Sequence, residues 1–310
     1  MPKGVPTSIH DLPKNITDHL RIGTCSWNYP EWQEIGIYSA KQAKHYDYLP
    51  EYSKHFNTAE VDQWFWSLES RDTVRLPRKT DVEMYADQTP DNFKFTVKAP
   101  NAITLTHFYK QAGPTLAGKP NPHFLSLDLL KSFLNLIRHL KDKIGVIMFE
   151  FEYLNKEKMP SLNSFIDTLG PFLNELPDEY NFAIESRNPN YLKEEYFTFL
   201  KEHKVGHVFV EGYYMPPVAG IYEKFGDLAL TCDNVVIRLL GADRQGIEKK
   251  TNKKWTEIVE PRDEALKEIA EFVSKLIPLK FDVYANFNNH LEGSAPLTIK
   301  KFLEILDTLL

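Results

Sequence analysis

Short apolar runs alternate with longer helical patterns along the whole chain. Eight apolar runs predict strands, at residues 21–26, 57–61, 93–98, 144–151, 182–186, 205–210, 234–239 and 281–286. Helical patterns lie between most of them, at residues 125–141, 162–176, 193–202, 262–276 and 298–310. In the first of these helices, Leu129, Phe133 and Leu136 recur at spacings of three and four, which buries one face. Ser161 and Asp263 have the residue type and position of helix starts.

This alternation is typical of strand–helix units and a parallel sheet. Eight such units predict an α/β fold, a TIM-barrel-like (β/α)8 single domain over residues 21–310, with an N-terminal extension over residues 1–20. An open doubly wound sheet is the alternative, but it usually shows a glycine-rich first turn. The chain has only 14 glycines and neither a G-x-G-x-x-G nor a P-loop pattern. A standard dinucleotide or nucleoside triphosphate site is therefore disfavoured.

Composition narrows the class of protein further. The 310 residues include 37 Lys plus Arg and 43 Asp plus Glu, a formal net charge of −6 that argues against a general nucleic-acid coat. Cys25 and Cys232 are too few for a disulfide framework, so both are expected to be reduced. The N-terminus lacks the apolar core of a signal peptide, and no apolar run is long enough to span a bilayer. We therefore expect a soluble, cytoplasmic protein.

Charged and polar side chains stand near the C-terminal ends of several predicted strands, although barrel interiors are normally filled by branched apolar residues. They are Glu60, Asp62, Thr96, Lys98, Glu150, Glu152, Glu185, Arg187, Arg238, Asn286 and Asn288. Because a buried charge must be paired, their recurrence predicts one shared polar centre at the mouth of the barrel. Active sites of this fold lie at the same end. The alternative is an internal ion-pair network that only stabilises the barrel.

Carboxylates and cations suggest separate roles within this centre. Glu60 and Glu185 are the candidate catalytic residues, one as general base and the other as general acid. Lys98, Arg187 and Arg238 are candidates for holding a phosphate or carboxylate of the substrate. The alternative role of these cations is to neutralise the glutamates.

Amide and imidazole side chains stand at or after the C-terminal ends of predicted strands 3 and 8. Asn286 and Asn288 would orient substrate hydroxyls. His107 and His290 follow strands 3 and 8, where each is a candidate proton shuttle or metal ligand, although a lone loop histidine is more often neither. His107 is also a candidate substrate-binding residue. His207 begins strand 6 at the opposite end of the barrel and is expected to be structural.

Two aromatic groups follow strands 1 and 2. They are Trp27, Tyr29 and Trp32, then Trp64, Phe65 and Trp66. Because aromatic faces stack on sugar rings and nucleobases, Trp27 and Trp64 are candidate substrate-binding residues. Packing in the core is an equally good interpretation.

A divalent metal is a further candidate for the mouth, since Mg²⁺ and Mn²⁺ prefer oxygen ligands. The candidate ligands are Glu60, Asp62, Glu150, Glu185 and a histidine. No H-E-x-x-H or comparable metal motif occurs, so the sequence specifies no metal and no other cofactor.

Five segments, in register along the chain, resemble the motifs of the YecE-like family. They are I-G-T-C-S-W-N-Y-P-E-W at 22–32, T-A-E-V-D-Q-W-F-W at 58–66, F-K-F-T-V-K-A-P-N-A-I-T-L-T-H at 93–107, A-I-E-S-R at 183–187 and Y-A-N-F-N-N-H-L-E-G-S-A at 284–295. The resemblance implies a TIM-barrel-like fold and no settled activity. The chain departs from the family pattern at Asp62, where Asn is usual, and at strand 4, which ends F-E-F-E-Y instead of F-Q-F-P-P. Glu150 and Glu152 should therefore make this mouth more acidic.

These features support two hypotheses of function. The first is an enzyme, a hydrolase or isomerase, that acts on an anionic ring-bearing substrate such as a sugar phosphate, a nucleotide or a nucleic-acid end. The second is a non-catalytic carbohydrate- or nucleic-acid-binding protein that uses the same mouth. A structural protein with only an internal ion-pair network is a third interpretation. No feature of the sequence indicates a membrane or a protein partner.

Overall fold

Eight parallel strands close into a barrel, and their order around it follows the chain. The computed structural model describes residues 8–39 and 48–310. The strands are β1 (Leu20–Thr24), β2 (Thr58–Val61), β3 (Lys94–Lys98), β4 (Ile144–Phe151), β5 (Phe182–Ser186), β6 (Gly206–Gly212), β7 (Asn234–Gly241) and β8 (Asp282–Phe287). The barrel closes where β8 pairs in parallel with β1. The prediction of a TIM-barrel-like (β/α)8 fold is confirmed.

Helices connect the strands. In the described residues they are α1 (Lys14–Thr17), α2 (Leu49–Tyr52), α3 (Lys79–Asp87), α4 (Asn101–Thr104), α5 (Leu127–Ile137), α6 (Leu162–Leu173), α7 (Glu194–Glu202), α8 (Val218–Phe225), α9 (Arg244–Thr251), α10 (Asp263–Leu276) and α11 (Ala295–Asp307). The five predicted helices correspond to α5, α6, α7, α10 and α11. The sequence pattern misses the other six. Of these, α1, α2 and α4 have four residues each, and α3, α8 and α9 each bury only two side chains and so lack a long apolar stripe.

The two predicted helix starts differ in how they act. Ser161 is the N-cap of α6, and its hydroxyl accepts a hydrogen bond from the backbone N–H of Ser164 at 3.1 Å. Asp263 is instead the first residue of α10, where its negative charge lies in the first turn. A carboxylate in that turn interacts favourably with the positive end of the helix dipole.

Alternation along the strands separates an outer apolar layer from the barrel interior. Phe149 of β4 packs against Phe172 of α6, with ring centroids 5.3 Å apart, so its neighbours in β4 face inward. The alternation breaks at the start of β4, where the register with β3 shifts between Ile144 and Val146, so that a Cβ at Gly145 would lie 2.4 Å from the ring of Tyr284 inside the barrel. Gly145 therefore leaves the space that this ring fills. Asn286 lies two residues further along β8 on the same face, where the polar part of the interior begins.

Strand register places polar residues side by side at the C-terminal ends. Glu150 of β4 is the partner of Glu185 in the β4–β5 ladder. Arg238 of β7 is the partner of Asn286 in the β7–β8 ladder. Because these four side chains face the interior, the register concentrates charge at one end of the barrel.

The segment before β1 packs on the barrel. Ile9, Leu12 and Ile16 are buried, and the backbone N–H of Ile9 donates to the carbonyl of His55, just before β2. Residues 1–7 of the predicted N-terminal extension lie outside the described residues. The division of the chain at residue 20 stays a prediction.

Both cysteines carry free thiols, with Cys25 buried and Cys232 partly buried, in line with the expectation from their number. Among the helices of the described residues, none has both the length and the apolar character needed to cross a bilayer. The cytoplasmic location stays a prediction.

His207 is enclosed by aromatic rings at the start of β6. It is 2% exposed and lies 5.2 Å from the ring centroid of Phe197 and 4.8 Å from that of Phe209. Burial lowers the pKa of His207 to about 3. The neutral imidazole therefore packs in the core, and this position agrees with the structural role expected for it.

We predict that this buried imidazole makes the protein sensitive to acid. Between pH 6.5 and about 3, the unfolded chain binds a proton at His207 and the folded protein does not. The His207 contribution therefore lowers the free energy of unfolding as pH falls, by up to about 1.4 kcal/mol per pH unit. Urea unfolding of the parent protein and His207→Leu at several pH values should show the variant losing this part of the slope.

The exposed His139 provides the matched control, since it lies on the surface after α5. His139→Leu should keep the pH dependence of the parent protein. Equal slopes for His207→Leu and the parent protein would contradict the prediction.

Candidate functional site

Arg238 stands in the barrel mouth and binds three carboxylates. Its Nε and Nη2 donate to the two oxygens of Glu60, at 2.7 and 2.6 Å. Its Nη1 donates to Glu185 at 2.5 Å and to Glu150 at 3.0 Å. The planar guanidinium suits this bidentate pairing. One side chain of β7 thereby joins carboxylates of β2, β4 and β5 across the interior.

Two further cations extend this arrangement. Lys98 Nζ lies 2.9 Å from a Glu150 oxygen and 3.6 Å from the ring centroid of Phe65. Arg187 Nη2 forms an ion pair with Glu185 and lies 3.5 Å from Glu150. The connected set, called the Arg238 network below, consists of Glu60, Lys98, Glu150, Glu185, Arg187 and Arg238. It contains as many cations as carboxylates.

Burial and ion pairing shift the pKa values of the network residues in opposite directions. Burial raises the pKa of Glu60 above its usual value, although Arg238 opposes the effect. Burial also acts to raise the pKa of Glu150, but Lys98, Arg187 and Arg238 outweigh it and hold that pKa well below its usual range. The three glutamates keep the pKa of Arg238 well above its usual value despite burial. Glu150 and Arg238 are therefore charged at neutral pH.

The position of Glu60 and Glu185 does not fit the roles of general acid and base predicted for them. Both side chains have no exposed surface and are bound by Arg238. A substrate would have to displace that guanidinium to contact them. Glu150 is different, because its side chain is 16% exposed and lines a cavity.

That cavity, called the Arg187 cavity below, lies above the network and has a volume of about 680 Å³. It is lined by Glu150, Glu152, Tyr153, Arg187, Pro189, Tyr213 and Tyr214. The guanidinium carbon of Arg187 lies 4.5 Å from the ring centroid of Tyr213, a cation–π contact. Its buried Nε has no hydrogen-bond partner among the described residues. Arg187 is thus held in place and retains donor capacity.

A second cavity of about 510 Å³ adjoins the first and is called the His107 cavity below. It is lined by His107, Phe108, Tyr109, Lys110, Gly118, Glu152, Asn155, Glu157 and Lys158. Glu152 lines both cavities, and one of its oxygens lies 2.5 Å from Lys158 Nζ. The structure therefore places His107 beside the Arg238 network rather than within it.

The two predicted asparagines lie in different surroundings. Asn286 is buried, and its Nδ2 donates to Thr96 Oγ1 at 2.9 Å next to the network. Asn288 lies at the rim, where its Oδ1 accepts a hydrogen bond from the backbone N–H of His290 at 3.0 Å. His290 Nε2 lies 3.1 Å from Glu248, so the histidine also belongs to a contact between rim loops. Only Asn286 is brought close to the predicted charges.

The two predicted tryptophans also separate. Trp64 is 5% exposed and stacks on Tyr85 at 5.8 Å, while its edge contacts Phe133 at 6.3 Å. This burial corrects the expectation that Trp64 offers a free face to a ligand. Trp27 is partly exposed and lines a third cavity of about 330 Å³ together with Asp62.

Three of the candidate metal ligands, Glu60, Glu150 and Glu185, are already paired with cations. In the described residues, no group of three or more His, Cys, Asp or Glu side chains is arranged to hold a metal ion. Glu60, Glu150 and Glu185 each bind a guanidinium or ammonium group instead. A divalent ion at these carboxylates would have to displace Arg238.

Tyrosines at the strand ends are the main feature that the sequence interpretation missed. Tyr153 follows β4 and is 61% exposed, and Tyr214 follows β6 and is 93% exposed. Tyr213 lies beneath Arg187. Their signal in the sequence is weak, because each stands one to two residues beyond the end of a strand, where loop and site residues look alike.

Comparison with known proteins shows the family and the fold. The model of the family described as "Protein of unknown function DUF72" matches residues 21–309. The UPF0759 protein YecE of Escherichia coli K12 is 25% identical over 173 residues, 56% of this chain and 50% of that protein. The chain thus spans about half the length of this curated relative.

Two solved structures agree with the barrel. A DUF72 family protein from Enterococcus faecalis V583 superposes with a TM-score of 0.60 and 19% identity, covering 93% of this chain and 95% of that chain. One from Thermotoga maritima MSB8 gives a TM-score of 0.60 and 18% identity, covering 93% and 98%. At these identities the similarity shows the fold alone.

We predict that removing Arg238 strongly destabilises the protein. Arg238→Met would remove the guanidinium that binds both oxygens of the buried Glu60 and one cation each from Glu185 and Glu150. Removing one partner from a buried ion pair destabilises by about 3–5 kcal/mol. The loss should be smaller at low pH. Burial raises the pKa of Glu60 above its unfolded value, so protonation of Glu60 at low pH removes the uncompensated charge and stabilises the folded protein. Urea unfolding at pH 5 and pH 7 measures both effects.

Arg138→Met is the matched control, since Arg138 is exposed before β4, at the opposite end of the barrel. It should change the free energy of unfolding by less than about 0.5 kcal/mol. The triple variant Arg238→Met, Glu60→Gln, Glu185→Gln should recover part of the lost stability. An unchanged stability of Arg238→Met would refute the role of the network.

Proposed function

Since the chain belongs to the DUF72 family, whose function is unknown, we propose a function from the site itself: an enzyme, a hydrolase or isomerase, that takes a ring-bearing substrate with an anionic group into the Arg187 cavity. Sugar phosphates and other anionic sugars fit this description, as do nucleotides and nucleic-acid ends. Arg187 holds the anionic group, and the tyrosines contact the ring.

One observation carries the proposal. Arg187 combines a fixed position over Tyr213, 14% exposure of its side chain and a place in the wall of a 680 Å³ cavity. A guanidinium binds phosphate or carboxylate through paired hydrogen bonds. The cavity volume falls in the usual range for small-molecule sites, about 300–1,000 Å³.

Glu150 and Glu152 are the carboxylates that we propose for the reaction, in place of Glu60 and Glu185. Both line the Arg187 cavity. Glu150 stays ionised beside Lys98, so it stabilises positive charge or orients a hydroxyl. Glu152 is the candidate for proton transfer, because hydrolysis and isomerisation both require a group that accepts and returns a proton.

A second candidate function is ligand binding without turnover. Its support is the pairing of every carboxylate in the Arg187 cavity, since Glu150 contacts Lys98 and Glu152 contacts Lys158. The cations beside Glu150 hold its pKa well below its usual range, which makes it a weak base. In this case Glu150 and Glu152 only accept hydrogen bonds from ligand hydroxyls.

We predict that ligand binding depends on Arg187. Thermal unfolding with a panel of sugar phosphates, uronic acids and nucleotides should identify ligands that raise the stability, by roughly 2.7 kcal/mol at a hundredfold excess over Kd. Arg187→Ala should lose these shifts, because the anion loses its partner. Arg138→Ala, at the opposite end of the barrel, should keep them. Shifts that survive in Arg187→Ala would refute the anchoring role.

We further predict that Glu152 separates catalysis from binding. Glu152→Gln keeps the size and hydrogen-bonding capacity of the side chain but removes its proton-transfer capacity. For ligands that bind, product formation followed by mass spectrometry should fall at least about a hundredfold, with binding little changed. Binding by the parent protein without any product would favour the second candidate, and equal turnover in Glu152→Gln would refute the role of Glu152.

A further inference from the structure

Three exposed aromatic side chains surround half of the barrel mouth. Within residues 8–39 and 48–310, Trp66, Tyr153 and Tyr214 are the aromatic residues with exposed side chains, at 57%, 61% and 93%. They follow β2, β4 and β6, so all three lie at the C-terminal ends of strands. Large aromatic surfaces are normally buried, and a cluster of exposed ones marks a binding surface.

The two cavities connect these aromatics into one path. Tyr153 and Tyr214 line the Arg187 cavity, and Tyr109 lines the His107 cavity. Glu152 forms part of both walls, so the cavities adjoin. The ring of Trp66 lies 5.9 Å from that of Tyr109, which continues the path beyond the second cavity. Glu152 and the contact between Tyr109 and Trp66 thus link the surroundings of Arg187 to Trp66.

The backbone at one end of this path is strained. Tyr213 and Tyr214 both have positive φ, at 50° and 64°, a conformation unusual for bulky residues. A Cβ at Gly212, which precedes them, would lie 2.2 Å from the carbonyl oxygen of Gly241, so only glycine fits there. The close approach of these two strand ends imposes the turn that exposes Tyr214. Strained conformations of this kind concentrate at ligand sites.

The charges along the path are balanced. The acidic side chains in the walls of the two cavities are Glu150, Glu152 and Glu157, and the basic ones are Arg187, Lys110 and Lys158. Sites for single-stranded nucleic acid combine stacking with a positively charged groove. A nucleic acid would add one phosphate per unit to a surface without surplus positive charge. An uncharged chain of sugar rings brings stacking faces and hydroxyls without that repulsion.

We infer that the path from Arg187 to Trp66 binds the end of a glycan chain whose terminal sugar carries one anionic group and whose following units are uncharged. The inference rests on the proposed function, because Arg187 holds the terminal group. Tyr153, Tyr213 and Tyr214 contact the terminal ring, and Tyr109 and Trp66 contact the units that follow. The anionic group is a carboxylate or a phosphate, and the chemistry of Arg187 serves both.

The test measures affinity against chain length by isothermal titration calorimetry. The probes are hexose oligomers of one to four units, each with a neutral, a uronic acid or a 6-phosphate terminal sugar, and oligothymidylates of the same lengths. For acid-terminated oligomers we expect affinity to rise about three- to tenfold with each added unit up to the third and then to level off. The gain in affinity from each added unit should change little between low and high salt, because these units carry no charge.

Variants assign the effect to residues. Trp66→Ala should remove the gain from the third unit and leave the single acidic sugar unaffected, and Trp66→Phe should restore most of it. Arg187→Ala should weaken all acid-terminated probes alike. Leu279→Ala is the matched control, since Leu279 is 55% exposed before β8, at the opposite end of the barrel, and it should change nothing.

The possible failures are distinguishable. An acidic monosaccharide that binds through Arg187 with no gain from longer chains would overturn the glycan path and leave the proposed function standing. A gain in affinity with chain length that is unchanged in Arg187→Ala would support the glycan path. It would contradict the binding of an anionic terminal group by Arg187. Oligothymidylates that bind more tightly than every sugar, with steep salt dependence, would overturn the assignment to a glycan. Absence of binding by all probes would overturn both proposals.

Discussion

Burial of the Arg238 guanidinium is the constraint on which the rest of the mouth depends. A cation inside a barrel is stable only if carboxylates surround it, and here they come from β2, β4 and β5. The register of these strands must therefore be kept, because a slip by one residue would turn each side chain toward the helices. Unlike apolar packing, which tolerates exchanges of similar volume, this pairing leaves an uncompensated buried charge when any partner moves. We regard the network as a device that specifies register as well as a source of stability.

The same pairing limits the chemistry available in the mouth. Glu60 and Glu185 are buried carboxylates, and burial raises the pKa of Glu60. Such features are common in catalytic residues, yet structural ion networks produce them as well. Accessibility distinguishes the two cases, since the groups that a ligand would meet are Arg187, Glu150 and Glu152 with the tyrosines around them. The proposed function therefore uses the accessible members of the network, Arg187 and Glu150, which their buried partners hold in place.

The chain departs from the YecE-like pattern at Glu150, a position where that pattern usually has an amide. As a carboxylate it lies beside Lys98, Arg187 and Arg238, and it makes the number of acids equal to the number of cations. With an amide at this position the same three cations would face two carboxylates. The carboxylate thus removes a surplus positive charge, so that the network around Arg187 is balanced in charge.

Hydrophobic periodicity is a local property of the chain, and it was enough to predict the eight strands, five of the helices, the barrel and a polar centre at its mouth. The sequence also identified the members of the Arg238 network, since charges in apolar strands are conspicuous. Which charges pair and which stay accessible depends on contacts between distant segments. Glu60 and Arg238 are 178 residues apart in the chain, and their contact follows from barrel closure. The burial of Trp64 and the exposure of Tyr214 were likewise decided by packing. Both are aromatic residues just after a strand, and their surroundings come from distant segments that no local pattern encodes.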